Sequence, residues 1–149
     1  MDLDSIVAEW YLGLYPPEKM PMLAARALEQ GFDGAALREL AGCTNATYSD
    51  ERDLIERALG ELGREPLDLS NAGRLLATLL CQQIVSGTTS PYQGASRIWA
   101  IYDRCGMPKS LIPFVGFASE WEDDLEHRDH YDKLIAEAAK KVLQNPGPF

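Results

Sequence analysis

Histidine and cysteine are scarce in this chain, and the long apolar runs, basic clusters and glycine-rich loops that mark many functions are missing. Only two histidines, His127 and His130, occur among 149 residues. With neither beside a Gly-x-Ser-x-Gly elbow, a nucleophilic serine triad has no scaffold. The three cysteines, Cys43, Cys81 and Cys105, form no C-x-x-C pair. An odd count without framework spacing is that of reduced thiols in an intracellular protein. Cys81 lies in an apolar helical stretch and is expected in the core. Cys43 sits in a polar segment, where a thiol would need a base brought from elsewhere to act as a nucleophile. Gly31-x-x-Gly34 and Gly60-x-x-Gly63 fall at helix boundaries, the usual place for such glycines, rather than in phosphate cradles.

Nothing approaches 18 uninterrupted apolar residues, so no membrane span is expected. Residues 1–5, Met-Asp-Leu-Asp-Ser, lack the basic start of a secretory signal, and a cytoplasmic location is the expectation. The Asn45-Ala46-Thr47 sequon would then be fortuitous. Basic residues are outnumbered, with 14 Lys and Arg against 23 Asp and Glu, for a net charge of −9. Such a chain repels phosphate backbones and anionic bilayers, which argues against nucleic-acid and membrane partners. It favours solubility and, if there is a partner, a basic protein.

Period-2 alternation is also nearly absent, and what fills the chain instead is helical periodicity. The patterning predicts helices over 3–14 (Ile6, Val7, Trp10 and Leu14 on one face, Asp2 or Asp4 as cap), 17–30 (Leu23, Ala24, Ala27, Leu28) and 34–41 (Leu37 and Leu40, capped by Asp33). A polar stretch over 42–49 reads as a loop, followed by a helix over 50–62 and a linker over 64–69 containing Pro66. Further helices are expected over 71–86 (Leu76, Leu80, Ile84), 91–104 (Ala95, Ile98, Trp99, Tyr102), 111–124 (Phe114, Phe117, Ala118, Trp121) and 128–144 (Tyr131, Leu134, Ile135, Ala138, Val142), with a short tail after 144. Ser90-Pro91 is the clearest start signal, an Ncap serine before a proline at N1. Ser110 is expected to cap the seventh helix. The expected fold is therefore all-α, a compact irregular bundle of seven to eight helices in a single domain spanning 1–149. No internal repeat at fixed period argues for a solenoid.

The densest chemistry lies in Glu120-Trp121-Glu122-Asp123-Asp124-Leu125-Glu126-His127-Arg128-Asp129-His130-Tyr131-Asp132. It holds both histidines and seven carboxylates against one arginine, a local charge of −6. On an uninterrupted helix Asp123, His127 and His130 would share a face at i, i+4 and i+7, as metal ligands could. Two features oppose that: no second histidine-bearing segment exists, and the His–His spacing is i, i+3 rather than that of H-E-x-x-H. The stronger use of the segment is electrostatic, with Glu120, Glu122, Asp123, Asp124 and Glu126 facing a cationic partner. Tyr11 and Tyr15, four apart and followed by Pro16-Pro17, are the aromatics expected to stay exposed as interface anchors. No cofactor is called for.

Residues 24–42 have the outline of the first two helices of a helix-turn-helix unit, with a glycine-containing turn. The segment that follows, Ser49-Asp50-Glu51-Arg52-Asp53, starts acidic where a DNA reader needs a basic recognition helix.

Trp10-Tyr11-Leu12-Gly13, Leu37-Arg38-Glu39-Leu40-Ala41-Gly42 and Ser90-Pro91-Tyr92-Gln93-Gly94-Ala95 with Ile98-Trp99 together resemble small uncharacterised bacterial all-α proteins of actinobacterial style. The resemblance implies a helical fold and names no activity. In charge and fold class the chain is also similar to immunity proteins that neutralise basic bacterial toxins. Three readings follow, in order of preference. The first is a non-enzymatic, cytoplasmic protein-binding module, in its most specific form an immunity-like inhibitor of a basic toxin. The second is a metal- or ligand-binding helical enzyme using Asp123, His127 and His130. The third is a helix-turn-helix regulator.

Overall fold

A computed structural model describes residues 3–43, 48–64, 67–145 and 147. The fold is all-α: among the described residues there are eight α-helices, three short 3-10 turns and no strand. Contacts divide the chain into two compact units, Met1–Asp68 and Leu69–Phe149, and the dividing point falls in the linker expected over 64–69.

The first unit comprises α1 (Leu3–Tyr11), α2 (Met20–Glu29), α3 (Ala35–Ala41) and α4 (Tyr48–Glu61). Helix α1 is shorter than its apolar pattern predicts. Gly13, at φ 72°, takes the left-handed C′ position, and the Leu14 and Gly13 amides return to the Glu9 and Trp10 carbonyls. That pairing closes a helix end with a conformation that costs glycine little. Leu14, predicted on the inner face, is consequently left 38% exposed. Asp4 lies inside α1 and pairs with Arg64, and Asp2 lies outside the described residues. Helix α3 is not capped by Asp33, which pairs with Arg38 instead. Its N-terminus is capped from α4, where the Glu61 carboxylate accepts the Ala36 amide at 3.0 Å. The sequon is likewise outside the described residues, and α4 begins two residues earlier than the patterning predicts.

The core of this unit is built from Ile6, Val7 and Trp10 of α1, Leu23 and Ala27 of α2, Leu37 and Leu40 of α3, and Leu54, Ile55 and Leu59 of α4. Each fully buried aliphatic side chain contributes roughly 1.5–3 kcal/mol. Among the described residues, Glu51 is the buried charged side chain of this core: 2% exposed, it accepts the Trp10 indole N–H at 3.3 Å.

The second unit comprises α5 (Leu69–Ser86), α6 (Pro91–Arg104), α7 (Ile112–Asp123) and α8 (Arg128–Gln144). Helix α5 packs on α6, α6 on α7 and α7 on α8, and α8 returns against α5 and α6. The Ser90 signal holds: its hydroxyl accepts the Gln93 amide, with Pro91 in the first turn. Ser110 does not cap α7, because a 3-10 turn at Lys109–Leu111 precedes it and Leu111 takes the cap position. Helices α5 and α6 approach closely at Gly94, where a Cβ would stand 2.5 Å from Ile84 Cγ1.

The core stripes of α6–α8 are narrower than predicted. Ala95, Ile98 and Ile101 are buried on α6 while Trp99 and Tyr102 are half-buried. On α7 only Phe114 and Ala118 are buried, and on α8 only Ile135 and Ala139. The remaining apolar residues of both stripes, including Phe117, Leu134, Ala138 and Val142, are half-buried.

Candidate functional site

The acidic segment folds into a corner, not a continuous helix. Helix α7 stops at Asp123, Asp124 leaves helical geometry at φ −123° and ψ 86°, a 3-10 turn takes Leu125–His127, and α8 starts at Arg128. The break removes the helical register that would have aligned Asp123, His127 and His130. Among the described residues no three His, Cys, Asp or Glu side chains converge to hold a metal ion. His127 turns to Asp124 instead, with Nδ1 at 2.8 and 3.0 Å from the two carboxylate oxygens. His130 lies against the Tyr131 ring, with centroids 5.5 Å apart.

A stack of three side chains fixes the corner. Tyr92 of α6 lies flat on Trp121 of α7, with centroids 3.8 Å apart and planes 6° from parallel. The Arg128 guanidinium sits 3.8 Å from the Trp121 ring centre, and its Nε donates to the Trp121 carbonyl at 3.1 Å. Arg128 thus closes the turn by bonding the chain seven residues back. The cation–π contact is worth on the order of 1–2 kcal/mol where it is partly desolvated. The indole Nε1 is buried without a hydrogen bond of ordinary geometry among the described residues. It lies close enough to Asp132 to favour that carboxylate, as does Arg128. Burial, and secondarily Asp129, act the other way and leave the Asp132 carboxyl raised above its usual range.

The carboxylates of the corner point outward. Glu120, Glu122, Asp123 and Glu126 are exposed and Asp124 is partly so. Glu120, Glu122 and Asp124 meet hydroxyls and an imidazole. The Tyr92 hydroxyl donates to Glu122, which raises the phenol's pKa, with burial adding to the effect. The Tyr131 hydroxyl donates to Asp124 at 3.4 Å. Burial raises the Tyr131 pKa, and Asp124 and Glu120 raise it further. The His127 hydrogen bond holds Asp124 below the ordinary carboxylate range.

The first unit treats its acids differently, pairing them with arginines: Asp33 with Arg38, Glu39 and Asp53 with Arg57, and Glu56 with Arg52. Those pairs also engage Arg52 and Arg57 on the helix that a helix-turn-helix protein would present to phosphates.

Tyr11 and Tyr15 are less exposed than the patterning predicts. Both are half-buried against the core of the first unit. Tyr11 meets Trp10 edge to face, and its hydroxyl donates to Glu56 at 3.4 Å. Burial and the Glu56 charge push its pKa up to about 12, against the pull of Arg52. Burial raises all three cysteine thiols. Burial, together with Glu39, Glu51 and Asp50, raises the Cys43 thiol, the opposite of what a nucleophile requires. Cys81 is fully buried and pushed up to about 12.

At the other end of α7 and α8 lies a groove of about 400 Å³, floored by Phe114, Phe117, Leu134, Ala138 and Val142. Glu137 and Lys141 also line it. The residues that make it were legible as apolar stripes, but the patterning assigned them to a closed core. Nothing in the spacing of Tyr92 announces its stack on Trp121. Compared with known protein families, with curated proteins and with solved structures, the chain matches none.

Proposed function

We propose that this chain is a non-enzymatic protein-binding module that turns the acidic corner between α7 and α8 toward a basic partner. Its most specific form is an immunity-like inhibitor of a basic toxin. One observation carries the reading: the corner concentrates seven carboxylates against a single arginine, the hydrogen bonds of Glu122 and Asp124 go to tyrosines and a histidine, and Arg128 acts on Asp132. Left uncompensated, such a charge steers a cationic surface toward it and discriminates against acidic competitors. The rigid stack of Tyr92, Trp121 and Arg128 supports the reading, since preorganised charges lose less entropy on binding.

The test is recovery of a partner from the native host with the tagged full chain at low and high salt. A basic protein is expected at low ionic strength, weakening as the screening length drops from about 10 Å at 0.1 M salt toward 3 Å at 1 M. The combined substitutions Glu120→Gln, Glu122→Gln, Asp123→Asn and Glu126→Gln are expected to abolish recovery. Recovery that is indifferent to both salt and these substitutions would overturn the proposal.

A further inference from the structure

In the seam between α7 and α8, the groove ends at Phe117 and Leu134, about one helical turn from Glu120 and Tyr131 at the corner. Along α7, Pro113, Phe117 and Glu120 recur at helical spacing and lead to Asp124 at the helix end. Along α8, Val142, Ala138, Leu134 and Tyr131 recur at i, i−4, i−8 and i−11. The two stripes meet where the Tyr131 hydroxyl reaches Asp124. The seam is therefore apolar at the end formed by the start of α7 and the end of α8, and acidic at the corner. A space of about 400 Å³ floored by aliphatic and aromatic side chains far exceeds the roughly 30 Å³ that one water takes. It is lined by α7 and α8 and also by Ser110, Asn145 and Gly147; hydrophobic grooves on helices are surfaces into which amphipathic helices lay their apolar face.

We infer that the α7–α8 seam receives a cationic amphipathic helix of the partner protein, with its apolar residues seated over Phe117, Leu134 and Ala138 and its basic residues against Glu120 and Asp124. The charge of the occupant follows from the acidic end of the seam, where residues 120–132 carry a local charge of −6. The amphipathicity follows from the apolar end, which a merely basic loop would leave unfilled. Glu137 beside the groove offers one further contact for a basic side chain, and Lys141 sets a local limit on where such side chains fall. The inference rests on the proposed basic partner and adds the form in which it binds.

A synthetic 14-residue Leu/Lys helix is the probe, with a scrambled isomer of equal charge and a Leu/Glu helix as comparisons. The full chain is expected to bind the Leu/Lys helix at least tenfold more tightly than the scramble by calorimetry, and to ignore the Leu/Glu helix. Ala138→Gln and Val142→Gln, which place polar bulk in a groove and not in the core, are expected to weaken binding at least tenfold with unchanged melting curves. Amide chemical-shift changes in the unsubstituted chain, expected at Phe117, Leu134 and Ala138, read the same contact without any substitution. Equal binding of the scramble, or shifts confined to 120–132, would overturn the helix-in-groove inference while leaving the acidic corner as a docking site. No binding of any lysine peptide at low salt would count against both. Concentration-dependent dimerisation abolished by Ala138→Gln would assign the groove to a second copy of the chain and overturn the inference.

Discussion

Tyr92 and Trp121 lie face to face at 3.8 Å, so the middle of the acidic corner is held by an aromatic stack from two helices that are adjacent in the second unit. Arg128 adds its guanidinium to the same indole and anchors the first residue of α8 to the Trp121 carbonyl. Removing Trp121 should therefore cost more than its partial exposure implies. Trp121→Ala is expected to destabilise the chain by about 3 kcal/mol, the lower end for loss of a large aromatic. Arg128→Ala should cost about 2 kcal/mol, for a partly desolvated cation–π contact and one hydrogen bond. Urea unfolding followed by circular dichroism measures both, and an Arg128→Ala midpoint equal to that of the parent would refute the anchoring role.

Gly94 sets the distance between α5 and α6. Its backbone is ordinary helix, so space and not φ is the constraint: a Cβ would meet Ile84 Cγ1 at 2.5 Å and Cδ1 at 2.6 Å. Gly94→Ala is expected to destabilise by about 1–3 kcal/mol, the range for overpacking, although alanine is the better helix former. Combining it with Ile84→Ala should recover part of that loss, giving a favourable coupling in a double-mutant cycle. Independent, additive effects would show that the helices simply move apart.

The helices themselves were legible because their signals are local: an apolar face every three to four residues, Ser90-Pro91 at a start, and Gly31 and Gly63 at ends, both at positive φ. Closure of the second unit was not legible. Phe117, Leu134, Ala138 and Val142 carry the same periodicity as Phe114 and Ile135, and only the separation of α7 from α8 decides which become core and which line a groove. The cap on α3 was missed for a related reason, since Glu61 comes from 25 residues away and a nearer acid, Asp33, stood at the expected position. At the corner, helical projection aligned Asp123, His127 and His130, but the projection fails once Asp124 bonds His127 and breaks the helix.

Glu51 tests the opposite kind of placement, a carboxylate in a core. Burial raises its pKa, the Trp10 N–H opposes this, and Glu18 adds to the rise. A folded pKa above the unfolded value of about 4.3 means that the folded state holds the extra proton, so stability is fully present below that value and declines as pH rises through the folded pKa. Glu51→Gln keeps an acceptor for Trp10 and removes the charge. It is expected to raise stability at pH 7 by on the order of 1 kcal/mol and to change it little at pH 4. Loss of stability at pH 7 would mean that the ionised carboxylate is itself the preferred partner of Trp10.

Asp124 carries the reverse sign. Its hydrogen bond with His127 lowers its pKa, ahead of a smaller raising effect of burial and the further help of Tyr131. The stabilisation it supplies is thus present above the unfolded value of about 3.9 and is lost as pH falls through the depressed folded pKa. Carbon-detected titration of the Asp124 carboxyl should show a midpoint below the ordinary range in the parent chain. His127→Ala should move that midpoint up toward the ordinary value, and Tyr131→Phe should move it less, because the imidazole contact is the larger cause. An unmoved midpoint in His127→Ala would show that the backbone of the turn, and not the side-chain pair, holds Asp124 ionised. In that case the break between α7 and α8 would persist without His127, and the corner would owe its shape to Arg128 and Trp121 alone.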